Sequence, residues 1–350
     1  MNIFFMEDIM QHELKAGPLL NEEGNLAEAG FAYSLVKTYD RKAIKAPKSR
    51  IKEWDYYYIG NNERGVAFTI DDNSYMGLGS VSLLNFVDKT FITKSSMKAF
   101  TNGKVNLPAS STEGDLTWED KNYYLHFAVN KGKRILDVKV KNYNDNKSFE
   151  SHIELLETLD KTMVIATPFD KSHYFYYNQK INCMKAKGYY QYGDERYEFN
   201  DSNTRAVLDW GRGVWTYKNT WYWGTMNGVS LGHEVGLNLG YGFGNTSAAS
   251  ENMLFFDGVT YKLEDVIFNI PKDDKGNYKY MERWTFTSKD GTINLTFDPI
   301  LDRHDDTDVI VIKSLQHQVF GIFNGTIKVK DKVFTIHNVV SPAERVTNWW

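Results

Sequence analysis

A single cysteine, Cys183, stands in this chain of 350 residues. That count excludes a disulfide framework and a cysteine metal site, and it fits a reducing compartment. No run approaches the ~20 consecutive apolar residues of a membrane helix. The start, Met1-Asn-Ile-Phe-Phe-Met-Glu-Asp8, lacks the basic opening and longer apolar core of a signal peptide. The expected location is therefore the cytoplasm, with no membrane span. Net charge is −4 and no large basic block is present, so no nucleic-acid partner is expected. The basic run from Lys42 to Lys52 reads as an exposed linker. Helical periodicity is scarce too, and Glu7 to Lys15 is the best helical stretch.

Aromatic residues are abundant: 22 Tyr, 21 Phe and 9 Trp make up 15% of the chain, which favours strands and broad apolar faces. From Trp54 onward apolar and polar residues alternate, as in Val66-Ala-Phe-Thr-Ile70, Tyr124-Leu-His-Phe-Ala-Val129 and Ile135-Leu-Asp-Val-Lys-Val140. A period of two over short runs separated by turn residues predicts half-buried antiparallel strands. A faint internal repeat lays Ile181–Gly188 over Gln316–Gly325. An apolar residue, Phe199 or Ile336, follows each glycine after eleven positions (199 − 188; 336 − 325). An acid near an arginine comes next, Asp209 and Arg212 or Glu344 and Arg345, and then a tryptophan. Upstream, Trp54–Ile70 matches Trp221–Leu239, and Met76–Ser80 matches Gly240–Gly244. The predicted fold is all-β, with two tandem antiparallel barrels or curved sheets over 51–210 and 211–350 behind an irregular arm, 1–50. A barrel of about eight strands has room for one small ligand.

Residues 209–257 hold the candidate site. Rings, glycines and isolated charges alternate there, a composition suited to a pocket wall. A carboxylate between Trp210 and Trp215 must pair or raise its pKa, so Asp209 is a candidate acid. Arg212 offers a planar fork for a carboxylate or an anionic ligand head. The two side chains could equally form a structural salt bridge. In Ser250-Glu-Asn252, alternation sets Glu251, Met253 and Phe255 on one face, and Asn252, Leu254 and Phe256 on the other. An inward Glu251 could donate a proton, or it could hydrogen-bond a turn. Trp215, Trp221, Trp223, Tyr241 and Asn252 join Arg212 as candidate ligand-lining residues.

No cofactor is expected. Gly240-Tyr-Gly-Phe-Gly244 lacks the strand–turn–helix context of a dinucleotide fingerprint. No nucleophile elbow or phosphate loop occurs. The acidic run His304-Asp-Asp-Thr-Asp308 lacks Ca²⁺-loop spacing and reads as a solvated turn, and the histidines lack zinc-hydrolase spacing, so no metal is expected.

Leu208-Asp-Trp-Gly-Arg-Gly-Val-Trp215, Leu239–Asn252 and Ala343–Trp349 resemble the uncharacterised domain-of-unknown-function family numbered 2804. Leu20–Asn25, Lys52–Tyr57 and Gly77–Val81 fit it as well. The resemblance implies a calycin fold, that is, lipocalin-like barrels. It also implies distant similarity to carotenoid hydratases, tocopherol cyclases and a lipid-handling survival factor, proteins that act on long apolar molecules. Their catalytic residues have no matching motif here. Three functional readings stay open: a binding protein for a lipid-like or terpenoid-like molecule, a cofactor-free hydratase, isomerase or cyclase, and a structural or interaction module with filled barrels. The oligomeric state is not legible.

Overall fold

The computed structural model describes residues 11–309 and 312–349. The alternating runs form antiparallel strands in two large curved sheets, so the chain is all-β as expected. Along the main path of the first sheet the strands are Thr90–Ala99, Met76–Asn85, Arg64–Asp72, Ile51–Gly60, Arg205–Val214, Phe175–Tyr192, Lys147–Leu156, Lys133–Asn144, Tyr123–Asn130 and Leu116–Glu119. The second sheet runs Val259–Lys262, Met253–Phe256, His233–Tyr241, Lys218–Ser230, Lys332–Trp349, Ile312–Val329, Ile293–Val309, Trp284–Thr287 and Ile267–Asn269. Both orders place an early hairpin beside a late long one. Gly188 pairs with Phe199 and Gly325 with Ile336 at the same place in the two orders. Both glycines hold strongly positive φ (129° and 133°), where a side chain would strike the preceding strand's carbonyl, His152 O or Asn294 O.

Side-chain parity decides where each residue goes. Tyr57, Ile59, Val66, Phe68, Ile70, Leu208 and Trp210 point into the first barrel. Met226, Leu237, Leu239, Trp284, Phe297 and Phe323 fill the second. Full burial of such a side chain contributes about 1.5–3 kcal/mol, so both interiors are packed cores. The intervening positions turn outward and meet in a seam between the barrels. Tyr56, Tyr58 and Val207 pack there on Trp223, Phe320 and Val340. Beside them Tyr176 and Trp215 pack with Phe243, Met253 and Phe255.

Several local expectations need correction. Over residues 11–15 the chain is extended, not helical; the rest of that expected helix lies outside the described residues. The arm is more than a tether. Its strand Gly30–Ala32 pairs with Met163–Pro168, Leu14, Leu19 and Tyr39 join the first core, and His12 N reaches Ala248 O (2.8 Å). The basic run is not wholly exposed, because Lys52 is buried and Arg50 donates to Trp215 O (2.8 Å). Arg205–Val214 crosses position 210, where the sequence reading divides the halves, and lies entirely in the first sheet. Met253–Phe256, not Gly240–Gly244, occupies the place of Met76–Asn85 in the second sheet order. His304–Asp308 lies within the strand Ile293–Val309, so the expected turn is absent at those residues. Among the described residues no helix is long and apolar enough to cross a membrane, and no cluster of metal-ligating side chains occurs.

Candidate functional site

The expected partnership of Asp209 and Arg212 does not form. Three residues apart on one strand, they point to opposite faces. Arg212 turns into the first barrel, fully buried, with its guanidinium 4.3 Å from the Trp210 ring. It donates to Asp55 Oδ1 (3.0 Å), Trp54 O (2.7 Å) and Pro108 O (2.8 Å). Burial pushes the Asp55 carboxyl up, and Arg212 opposes it. Every donor in this pairing has an acceptor, so Arg212 has the surroundings of a structural ion pair.

Asp209 turns into the seam. Its Oδ2 lies 2.5 Å from Lys180 Nζ, and Asn178 Nδ2 donates to its Oδ1 (2.6 Å). Lys180 sits across the strand pair in direct register and lies 4.5 Å above the Trp223 ring. Two further carboxylates share this space. Glu344 accepts from Trp221 Nε1 (2.9 Å) and Gln318 Nε2 (2.8 Å), and Gln318 Oε1 accepts from Tyr56 (3.2 Å). Glu251 Oε2 accepts from Asn238 Nδ2 (3.2 Å), which Trp223 Nε1 orients through Asn238 Oδ1 (2.8 Å). Burial raises the pKa of both Glu251 and Glu344 above the usual carboxylate range. Lys180 pulls each one back in part, and Asp209 pushes Glu251 further up. Burial first, and then the same three carboxylates, lift the Tyr176 phenol well above its normal value. Lys180 is the one cation in ion-pair contact with these carboxylates among the described residues; Lys262 and Arg303 act on Glu251 and Glu344 from farther away, and burial still outweighs them at both.

An aromatic cluster forms the adjoining wall. Trp54 and Tyr176 stack at 6.1 Å. Phe243 packs edge-on against Tyr176 (4.7 Å), Trp215 (4.6 Å) and Trp221 (5.3 Å). Two glycines make the close approach possible. A Cβ on Gly211 would overlap the Trp54 indole, and one on Gly240 would overlap the Glu251 carboxylate. Although the seam is mostly buried, the side chain of Asp209 keeps 14% exposure, and Trp54 and Trp221 are also only partly covered. Solvent therefore reaches the polar cluster beside the rings.

Asp209, Glu251, Trp215, Trp221 and Trp223 gather at this seam. Tyr241 does not; it stacks on Tyr222 (4.7 Å) at the end of the second barrel. Asn252 closes a turn, accepting from Gly240 N (2.8 Å) and donating to Glu264 O (2.6 Å). Sequence reasoning missed Lys180, Tyr176, Glu344, Tyr56 and Trp54 as companions. The repeat did carry a signal for Glu344, by setting it opposite Asp209.

Two solved structures share the fold at low identity. The first, assigned as AttH from Nitrosomonas europaea, is 10% identical with a TM-score of 0.54, covering 86% of this chain and 93% of its own. The second, kievitone hydratase from Nectria haematococca, is 12% identical with a TM-score of 0.52, covering 95% and 98%. No functionally curated protein matches the chain in sequence. Its own family model matches residues 11–350, and the chain belongs to the family described as a domain of unknown function, DUF2804.

Proposed function

We propose that the seam between the barrels binds a hydrophobic, unsaturated small molecule of lipid-like or terpenoid-like class. The observation that carries this reading is the contiguous cluster of Trp54, Tyr176, Trp215, Trp221 and Phe243 beside a polar group that solvent still reaches. Apolar walls supply affinity, and a few converging polar groups fix orientation. Both barrel interiors are filled by their own side chains, which leaves the seam as the better place for a ligand.

A ligand here should change tryptophan fluorescence, because Trp54, Trp215, Trp221 and Trp223 surround it. The purified protein is denatured and extracted with organic solvent, and the extract is compared with a matched control by mass spectrometry. A stoichiometric apolar molecule that quenches the delipidated protein on return, and fails to do so in Trp221→Ala, supports the reading. An empty extract, with no quenching across a panel of polyenes and terpenoids, would overturn it.

One observation favours a second reading, proton transfer to an alkene. Glu251 has no cation within ion-pair distance among the described residues, and its Oε1 makes no hydrogen bond there. A buried carboxyl whose pKa is raised, with a free oxygen beside a ring wall, can donate a proton, and the rings can stabilise the resulting cation. The Lys180–Asp209 pair would hold the charge balance around it. A hydratase of the same fold makes this chemistry concrete; the residues of this chain are what support it. Glu251→Gln removes the proton and keeps the shape. Binding retained within about a kcal/mol with turnover abolished fits the acid role. Unchanged turnover of the extracted ligand would exclude it.

A further inference from the structure

At the end of the second barrel lies a second polar cluster that the seam does not use. Five residues stand side by side across five strands. Tyr241 pairs in register with Tyr222, Tyr222 with Arg345, Arg345 with His317, and His317 with His304. Cross-strand partners share one face, so these side chains form one lateral row. The connection that follows Asn269 folds over the row. Its Tyr280 stacks on His317 at 3.7 Å, and its Tyr278 stacks on Tyr280 at 5.7 Å. Lys272 lies 4.4 Å from the Tyr278 ring and is exposed.

Arg345 stands apart from the most deeply buried arginines. Arg134 pairs with Glu157 (2.5 Å), Arg205 with Glu234 (2.6 Å) and Arg212 with Asp55 (3.0 Å). Arg345 is half-buried and donates only to neutral phenols, from Nε to Tyr222 (3.1 Å) and from Nη1 to Tyr280 (3.3 Å). Its Nη2 has no partner among the described residues. Arg345 makes no ion pair with the nearby carboxylates, whose bonds go elsewhere, although Asp302 keeps one buried oxygen, Oδ1, without a partner. Asp302 holds His317 Nδ1 (2.7 Å), Glu282 pairs with Lys279 (3.0 Å), and Asp273 closes its own turn on Asn277 (2.8 Å). A half-buried guanidinium in a fixed fork with no anion beside it is built to receive one. Tyr278, the outermost ring of the stack His317–Tyr280–Tyr278, lies 4.4 Å from the Arg345 guanidinium and is only partly buried, so it offers some apolar surface at the same place. The local field agrees. Burial alone would raise the Tyr278 phenol, but Tyr222, Arg345 and Lys272 bring it below its normal value.

We propose that this row binds an oxyanion, carboxylate or phosphate, carried on a small molecule with a flat ring. Arg345 and Lys272 hold the charge, and the uncovered part of Tyr278 packs against the ring. The site lies on the inner face of strands whose outer face lines the seam, and it does not depend on the function proposed there.

Benzoate and inorganic phosphate are the probes, titrated into the full chain. Binding is read from the melting temperature and from the histidine C–H resonances by NMR. Benzoate should raise Tm and shift the His317 signal through its ring current, and Glu251→Gln should respond as the wild type does. Arg345→Met should weaken benzoate about tenfold or more, the loss of a charge-assisted hydrogen bond. Lys272→Met, an exposed change that leaves packing intact, should weaken it a few-fold. Phosphate matching benzoate would show that the oxyanion alone is recognised and overturn the ring half of the proposal. No response to either probe at tens of millimolar would overturn all of it. Benzoate affinity unchanged in Lys272→Met would do the same, even if Arg345→Met fails to fold.

Discussion

The interior of the first barrel and the seam beside it receive alternate residues of one strand, yet they treat charge in opposite ways. Inside, Arg212 and Asp55 form a one-to-one pair with every guanidinium donor used. In the seam, only Asp209 has an ion-pair partner, Lys180, and neither Glu251 nor Glu344 has one among the described residues. Balanced charge closed off from water suits stability. Unbalanced acids at a partly wetted aromatic surface suit function, since perturbed pKa values cluster where chemistry is done. A change on the inner face should therefore damage the fold, and a change on the outer face should mainly alter titration or binding.

The sharpest way to break this contrast is Arg212→Ala. It leaves Asp55 buried without its cation and strands the carbonyls of Trp54 and Pro108. Breaking a buried pair in this way costs about 3–5 kcal/mol. Chemical denaturation should show that loss, or the variant should fail to fold. A loss under about 1 kcal/mol, typical of an exposed pair, would mean that the inner face is not the structural one.

A smaller effect is expected at the boundary between the two faces. Gly211 follows Trp210 and supports the Trp54 indole on its outer side. Gly211→Ala must displace that ring from its stack with Tyr176. Overpacking of this kind costs roughly 1–3 kcal/mol. The tryptophan emission of the seam should change with it, while the Arg212–Asp55 pair on the opposite face is left in place. Wild-type stability with unaltered emission would show that Trp54 does not rest on Gly211.

Much of the fold was legible because strand periodicity is a local property. The alternation in Val66–Ile70 and Ile135–Val140 reports which faces are buried, and Gly188 with Phe199 reports a hairpin register. Glu251, Met253 and Phe255 also share a face as alternation requires, and that face is the seam. Partnership was less legible, because it is decided by strands distant in sequence. Asp209 and Arg212 are close in sequence, yet parity separates them. Their partners, Lys180 and Asp55, arrive on strands whose pairing no local pattern specifies. The arm was misread for a related reason. Gly30–Ala32 is too short to show a period and becomes a strand only against Met163–Pro168.

The finest test of the contrast is the pH dependence of Glu251→Gln. Burial holds the Glu251 carboxyl above the ordinary glutamate value, so the folded protein binds this proton more tightly than the unfolded chain does. The stability this contributes is full below the unfolded pKa and is lost as pH rises through the folded one. Glutamine does not titrate. It mimics the neutral acid and keeps the Asn238 hydrogen bond as an acceptor. The variant should therefore lie within about 1 kcal/mol of the wild type at acid pH, as an isosteric hydrogen-bonded exchange does. It should gain on the wild type steadily as pH rises above 4.5. Denaturation series from acid to neutral pH measure that difference directly. A gap that stays flat across the range would mean that Glu251 titrates as an ordinary surface carboxylate, and the seam would lose its candidate proton donor.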